Sequence, residues 1–467
     1  MYVSLCLIAR NENTYLKEWL DYHILLGVEH FWIYDNDSSI PLAESISPYI
    51  LKGWVTVNSI HGKGVQLYAY GHCIQTYGKY SQWIGFIDTD EFIVPKAPSR
   101  LPDFLRYYEK YGGVALNSLF FGSGGNHGRP KCGQVAGYLY RTPVELPRNR
   151  LIKSIIQPSK TLLPISPHNF MYREGDFCVN ELGYRVDDQV FPCSISKIHL
   201  NHYYTRSTQE MEEKIKRGRG DLGQKWSDQT MAEINNNSTI KDDTALNLVL
   251  TLIKKKNGLD YNTTSLADPQ STKFLDILST VAQNFKPAIC DAKTETSIEK
   301  REELENLIQV AKEGENLSKN NRYQELQNLQ YRLIEQYPFN LFLYTKLAIT
   351  SIHLHDFETA WKALSQAWKM HPRNYCVLSC MIDYFLATEN YEQAVKCYSL
   401  LAEYGNLDSV QMAGLAIAQW KSGNRDGALE TIHQLPNLTP ELIESHGWFK
   451  ELEEITKLHQ KEVIGHN

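Results

Sequence analysis

Nowhere in the 467 residues do about 18 apolar side chains run consecutively, so no evident membrane-spanning helix is present. Positive charge is in short supply. There are 48 Lys plus Arg against 54 Asp plus Glu, a formal charge of -6, and so no broad basic field for non-specific nucleic-acid binding. No glycine-rich segment ends in Gly-Lys-Ser/Thr, which excludes a P-loop, and no Gly-x-Gly-x-x-Gly directly follows a strand-like run, which argues against an NAD enzyme. The nine cysteines are odd in number and scattered, which fits reduced, mostly buried thiols rather than a disulfide framework. The apolar run that opens MYVSLCLIARNENTYLKEW is short and polar residues follow at once. It is expected as a first buried strand rather than a signal peptide, and a cytoplasmic placement follows, compatible with peripheral attachment to a membrane-associated assembly.

What is present divides unevenly. Residues 1–230 carry 25 basic and 23 acidic side chains, whereas the remainder carries 23 and 31, so the C-terminal half is acidic. In the N-terminal half, Val3–Ala9, His30–Tyr34, Val55–Ile60 and Trp83–Ile87 are apolar, strand-compatible runs. Helical patterns follow the first run, through Tyr15, Trp19, Tyr22 and Leu26 with Gly27 as its stop, and occupy Val65–Tyr77. This alternation predicts an α/β domain with a mainly parallel sheet, whose ligand-facing loops follow the strand C-termini. Three polar clusters stand at such positions: Arg10–Glu12, Asp35–Asp37 and Asp88–Glu91. A common crevice for all three is the expectation.

The last third repeats. Pro338 and Pro372 are 34 residues apart, as are successive members of Ala360, Ala394 and Ala428, of Asp356, Asn390 and Asn424, and of Trp361, Val395 and Leu429. Small alanines permit close helix approach, with the large apolar neighbours expected to fill the seam. The pattern resembles tetratricopeptide repeats, with paired helices over roughly 338–435. The expected organisation is an α/β domain at 1–228, a mostly helical connecting region at 229–320 and a helical repeat domain at 321–467.

Asp88-Thr89-Asp90 places two carboxylates on a turn after a strand, where they can approach a divalent ion that neutralises the phosphates of a nucleotide-activated donor. Around it the segments CLIARNENTYLKEWLDYHILLGVEHFWIYDNDSS at 6–39, WIGFIDTDEFIVP at 83–95 and HLNHYYTRSTQEMEEKIKRGRGD at 199–221, with Gln66 and the glycine-rich Phe121–Gly128, resemble glycosyltransferase family 92. The resemblance spans roughly residues 1–225 and implies a GT-A-like fold followed here by an all-α repeat domain. It implies an inverting transfer of a hexose from a UDP-sugar, UDP-galactose being the expectation from characterised relatives, to a glycan or glycosylated acceptor with Mn2+ or Mg2+.

By this resemblance Asp90 is a direct metal ligand and Asp88 holds the ribose side or acts through water. His202 completes the metal shell, with His199 as the alternative and a packed core histidine as the bland reading. Arg10 and Asp35 line the nucleotide pocket, although Arg10 could instead form an ion pair and Asp35 could simply cap its turn. Gln66 faces the donor or holds the carboxylate turn. Lys214, Arg217 and Arg219 meet the diphosphate or form only a solvated face. For the general base that an inverting transfer needs, Asp176 and Glu181 are the first candidates, while Glu91, beside the donor turn, orients an acceptor or is structural. The repeats are expected to bind a protein partner or mediate self-association, and a catalytically inactive scaffold is the alternative to the enzyme.

Overall fold

A computed structural model describes residues 1–97, 99–217, 228–290, 292, 309–310, 313–314, 316–435, 451–452 and 455, with Arg217 and Asp228 described by their backbone alone. The chain forms two units, Met1–Lys312 and Glu313–Asn467.

The strands of the first unit are β1 (Val3–Ala9), β2 (His30–Asp35), β3 (Val55–Ser59), β4 (Trp83–Phe86), β5 (Glu91–Pro95), β6 (Gly113–Phe120), β7 (Tyr140–Arg141), β8 (Ile152–Ile156), β9 (Thr161–Pro164), β10 (Phe170–Tyr172), β11 (Cys178–Asn180), β12 (Arg185–Val186), β13 (Ile198–His202) and β14 (Ile240–Lys241). One sheet runs in the order β12-β11-β6-β8-β4-β1-β2-β3, with β13 pairing both β6 and β5 beside it. The expected runs form β1 to β4, and β1 pairs in parallel with both β2 and β4, as β2 does with β3. β8 enters antiparallel between β4 and β6, so the sheet is mixed beyond its parallel half.

Alternation explains why the sheet is covered on both faces. Leu5, Leu7, Phe31 and Ile33 point into one apolar core, shared with Leu16, Trp19 and Leu20 of the helix Leu16–Leu26. Cys6, Trp32, Tyr34 and Phe86 point into the other, under Ala69, Tyr70, Cys73 and Tyr77 of the helix Gln66–Tyr77. Gly27 ends the first helix as expected. It holds φ +102° while its own N–H and that of Val28 return to Ile24 and His23.

The helices Thr244–Asn257 and Lys273–Ala282, expected in a connecting region, lie within the first unit. Their apolar sides, including Leu246, Val249, Ile253, Phe274 and Leu278, join the same core as Trp19 and Phe92. Polar exposed faces make this stretch look like a linker in sequence, whereas the buried stripes fasten it to the sheet. All nine cysteines are free thiols.

The second unit is all-α among its described residues, with helices Tyr323–Gln336, Leu341–His353, Phe357–Met370, Tyr375–Ala387, Tyr391–Ala402, Ser409–Lys421 and Arg425–Gln434. The 34-residue period is present in the backbone as well. Asn321, His355, Glu389 and Gly423 all adopt positive φ, one period apart, each turning the chain between helices. Ala360, Ala394 and Ala428 are fully buried. The expectation for their large neighbours needs correction: Trp361 is 42% exposed and lies tilted against the rings of Tyr384 and Phe385, while Val395 and Leu429 are only partly covered. Close helix approach at alanine leaves the next position at the rim rather than in the seam.

Candidate functional site

The Ile87–Asp90 turn links β4 to β5 at the C-terminal edge of the parallel strands, and two other strand ends share that edge. Arg10 follows β1 and is exposed, and Asp35 ends β2. Asn11 ties these two ends together, its N–H donating to the Ser38 hydroxyl at 2.9 Å and its side-chain oxygen accepting from the Ser39 N–H at 2.8 Å. Both Asp35 carboxylate oxygens are engaged in shaping the turn, by the N–H of Ser38 (3.1 Å) and of Leu42 (2.8 Å). Next to it, the Gly62 N–H and then His61 hold the Asp37 carboxyl below its ordinary value.

On the turn itself the two aspartates meet separate lysines. Asp88 accepts from Lys153 Nζ at 2.8 Å and from Gln66 Nε2 at 3.4 Å, and its N–H donates to Glu91 Oε2 at 2.9 Å. Lys153, the second residue of β8, also stands 3.4 Å from Glu91 Oε2 with its side chain only 3% exposed. Burial opposes its charge, but Asp88 and Glu91 more than compensate and hold the ammonium well above the ordinary lysine value. Asp90 accepts from Lys214 Nζ at 2.8 Å, and its Oδ1 lies 3.5 Å from His202 Nε2. Burial opposes the Asp90 charge too, yet Lys214, His202 and Arg206 outweigh it and hold the carboxyl well below the usual range.

His202 stands at the end of β13 because that strand pairs antiparallel with β5, bringing His202 opposite Glu91. Its Nδ1 lies 3.4 Å from Glu91 Oε1. Glu91 is 1% exposed, and burial pushes its carboxyl up against the opposing effect of Lys153. With Nδ1 turned to Glu91 and Nε2 to Asp90, His202 has the carboxylate–histidine arrangement in which an imidazole can serve as a metal ligand. His199 lies on the other face of β13, bonded through Nε2 to Asn201 at 2.9 Å, and burial lowers its pKa to about 3.

Residues remote in sequence fix this turn. Gln134 is fully buried and uses both ends of its amide: Nε2 donates to the Thr89 carbonyl at 3.0 Å and Oε1 accepts from Arg206 Nε at 3.0 Å. Its backbone N–H, with that of Val135, donates to the buried Glu18 carboxylate. Gly133 is required there, since φ is +85° and a Cβ would lie 2.6 Å from that carboxylate. Arg206 continues the chain to Glu12 at 2.8 Å and lies over the Tyr15 ring. The next residues start the helix Thr208–Arg217, with Ser207 and Glu210 bonding reciprocally in the manner of a capping box. Glu210 also accepts from Tyr15, Tyr138 and Arg129, anchoring the helix that carries Lys214 to Asp90.

The structure therefore brings together Gln66, Asp88, Asp90, Glu91, His202 and Lys214. It does not bring Asp176 or Glu181 to them. Glu181 is buried at the far end of β13, where it accepts from the hydroxyls of Ser194 and Ser196 and the N–H groups of Ser196, Lys197 and Ile198. Four residue rises along β13 separate that end from His202, on the order of 13 Å. Asp176 lies 3.9 Å from Lys160 and precedes β11, whose Cys178 pairs with Gly113 at the start of β6, while His202 pairs with Phe120 at its end. The Arg217 side chain and Arg219 lie outside the described residues.

Sequence reasoning passed over Lys153, Gln134 and Arg206. Lys153 carried a usable signal, a lone charge inside the apolar run Leu151–Ile156, and Ser207-Thr208-Gln209-Glu210 was a legible helix start. Gln134 carried none.

Among the described residues no three or more His, Cys, Asp or Glu side chains form a group that could hold a metal ion by themselves. The donor chemistry nonetheless suits one. A carboxylate and an imidazole face each other, with the Lys214 ammonium already standing as a cation on Asp90. Mg2+ in nucleotide sites is held by one or two carboxylates with substrate phosphates and water completing the shell, not by an all-protein cage.

With this geometry in hand, the comparisons with known proteins define the class. The family model described as Glycosyltransferase family 92 matches residues 1–247, more than half of the chain. The chain belongs to glycosyltransferase family 92. It is 30% identical over 194 residues to a family 92 protein of Oryza sativa subsp. japonica, covering 38% of this chain and 31% of that one. It is likewise 30% identical over 186 residues to one of Ricinus communis, covering 38% and 33%. The chain thus spans about a third of the length of the curated relatives it matches. Among solved structures, MamA MSR-1 C2 matches with TM-score 0.27 and 16% identity over 33% of this chain and 98% of its own, and yeast Tom70 with TM-score 0.22 and 14% identity over 47% and 61%.

Proposed function

We propose that the first unit is a GT-A-like, inverting glycosyltransferase domain that moves a hexose from a UDP-sugar, UDP-galactose being the first to test, to a glycan or glycosylated acceptor with Mn2+ or Mg2+. The observation that carries the reading is the Asp90–His202 pair backed by Glu91, at the strand edge of a chain in this family. Asp90 and His202 would hold the ion, which when bound offsets the charge of the leaving diphosphate. Asp88, held by Lys153 and Gln66, would take the ribose side, while Arg10 and the Asp35 turn line the same edge for the nucleotide.

Glu91 is assigned to orientation. It is enclosed by Lys153, His202 and the Asp88 N–H, and at 1% exposure it cannot touch an acceptor hydroxyl. Lys153 keeps the turn charged and fixed, and Gln134 clamps its middle carbonyl, so the ligands are positioned before the donor arrives. Lys214 and Arg217 would serve the diphosphate. The repeat unit, resembling tetratricopeptide repeats, would recruit a protein partner or a second copy.

Binding and turnover of UDP-sugars by the full chain, with Mn2+ or Mg2+, compared with Asp90→Asn, test this. Metal-dependent recognition of a UDP-hexose that the variant loses is the expected result. A folded protein that binds no nucleotide-sugar would overturn the assignment in favour of a scaffold.

A further inference from the structure

We propose that Glu18 is a positioning residue for the donor. Its ionised carboxylate sets Gln134, and that one amide fixes both the Thr89 carbonyl and Arg206 in the geometry that receives the nucleotide-sugar. The inference rests on the reading of the Asp88–Asp90 turn as the donor site, and goes beyond it by tying donor affinity to one buried proton.

Two buried glutamates of the first unit are held differently. Glu181 accepts from five donors along residues 194–198. Among the described residues Glu18 accepts only from two backbone N–H groups, that of Gln134 (2.9 and 2.8 Å, one distance to each oxygen) and that of Val135 (3.0 Å). Around it stand Arg206, Asp21 on its own helix, Cys132 beside Gly133, and Tyr203 just past β13. Two N–H groups compensate a buried carboxylate poorly, so stability alone does not account for it.

The residue those contacts hold does account for it. Gly133 turns the chain at φ +85°, and a Cβ there would lie 2.6 Å from the Glu18 carboxylate, so the carboxylate lies directly against the backbone that presents Gln134. The Gln134 amide is fully committed, Nε2 to the Thr89 carbonyl and Oε1 to Arg206 Nε, each at 3.0 Å. The Thr89 carbonyl belongs to the peptide that leads into Asp90, so its direction sets where Asp90 points. Arg206 stands at φ +54°, a left-handed conformation that strains a residue other than glycine. Its Nη1 donates to Glu12 after β1 at 2.8 Å, and the helix Thr208–Arg217 starts two residues on. One amide therefore ties the carboxylate turn to the loop after β1 and to the start of the helix that carries Lys214.

Protonation of Glu18 relaxes this tie. Burial, opposed by the N–H groups of Gln134 and Val135, pushes its carboxyl up to about 7. Both oxygens face N–H groups, and a neutral acid accepts more weakly than a carboxylate. The folded protein holds the proton below about 7 and the donor favours the form that has lost it, so donor binding strengthens as pH rises through that value. With the ionised form alone competent, that fraction climbs from roughly a tenth at pH 6 to roughly nine-tenths at pH 8, about 10-fold in apparent affinity.

UDP binding to the full chain in saturating Mn2+, measured by titration calorimetry from pH 6 to pH 8, tests this. The affinity of the unaltered protein divided by that of Glu18→Gln should rise about 10-fold across the range, since the ratio cancels the titration of UDP and of the ion-holding groups. Gln134→Met keeps the backbone N–H that Glu18 uses and removes the amide. It should lose the same pH-dependent part, and Glu18→Gln added to it should change UDP affinity little further. A ratio that stays flat with pH, or a full effect of Glu18→Gln on top of Gln134→Met, would overturn the positioning role while leaving the donor assignment standing. Should Glu18→Gln not fold, Gln134→Met decides alone: a pH profile parallel to that of the unaltered protein overturns the role. Failure of the unaltered protein to bind UDP anywhere in the range would remove the donor assignment itself, and the positioning with it.

Discussion

The two units bury different kinds of atoms. In the first, Glu18, Asp90, Glu91, Lys153, Glu181 and Arg206 are all shielded from solvent. In the second, the buried polar side chains among the described residues are neutral, such as Gln327, Gln330, Thr345 and Asn374, and alanine fills the helix contacts. Ion burial costs several kcal/mol per charge unless each is paired and hydrogen-bonded, so a core dense in charges is held for what the charges do. The repeat unit needs only neighbours in register. Sensitivity to single removals of buried ion pairs should therefore concentrate in the first unit.

The sharpest test of that contrast is Lys153→Met. It leaves Glu91 and Asp88 without their shared cation, and breaking a buried pair costs ~3–5 kcal/mol. Hydrogen exchange should show loss of protection in the first unit with the second unchanged. Equal loss in both units would break the comparison.

A smaller effect is a pH dependence within the first unit. Burial pushes the Glu18 carboxyl up to about 7, opposed by the N–H groups of Gln134 and Val135. The unfolded chain titrates near ~4.3, so between these values the folded state holds the extra proton. Stability contributed by this group is therefore full below ~4.3, falls as pH rises to about 7, and is level above, a loss of roughly 3–4 kcal/mol. Subtracting the pH profile of Glu18→Gln from that of the unaltered protein isolates this slope, and parallel profiles would contradict it.

The smallest effect lies in the repeats. Asn424 caps its helix by accepting from the Gly427 N–H at 3.1 Å, whereas its counterpart one period earlier, Asn390, makes no side-chain cap bond. Asn424→Ala should cost ~1 kcal/mol of stability in the second unit, and Asn390→Ala less. A reversed order in thermal unfolding would show that the period, and not the cap, sets the cost.

Much of this was legible along the chain. The apolar runs Val3–Ala9 and His30–Tyr34 sufficed for two buried strands, and Gly27 marked a helix end, because each depends on a few adjacent residues and on backbone sterics. The 34-residue spacing of Ala360, Ala394 and Ala428 announced stacked helices for the same reason. The helices at 244–257 and 273–282 were less legible, since their buried stripes are recognisable only once the sheet that receives them is known. Glu181 illustrates the converse, an acidic residue suited by type to catalysis that the fold spends on five donors from residues 194–198.

By itself the sequence determined the strand order in time, the helical repeat, and the placing of Asp88 and Asp90 just beyond a strand end, all properties of local pattern. Tertiary structure alone decided which cation meets which carboxylate. Lys153 reaches Asp88 across 65 residues and Lys214 reaches Asp90 across 124. Likewise, the β5–β13 register sets Glu91 behind His202, and Gln134 reaches the turn from 45 residues away. Such pairings arise from the register of strands and the docking of a helix, and no short-range period in a chain encodes either.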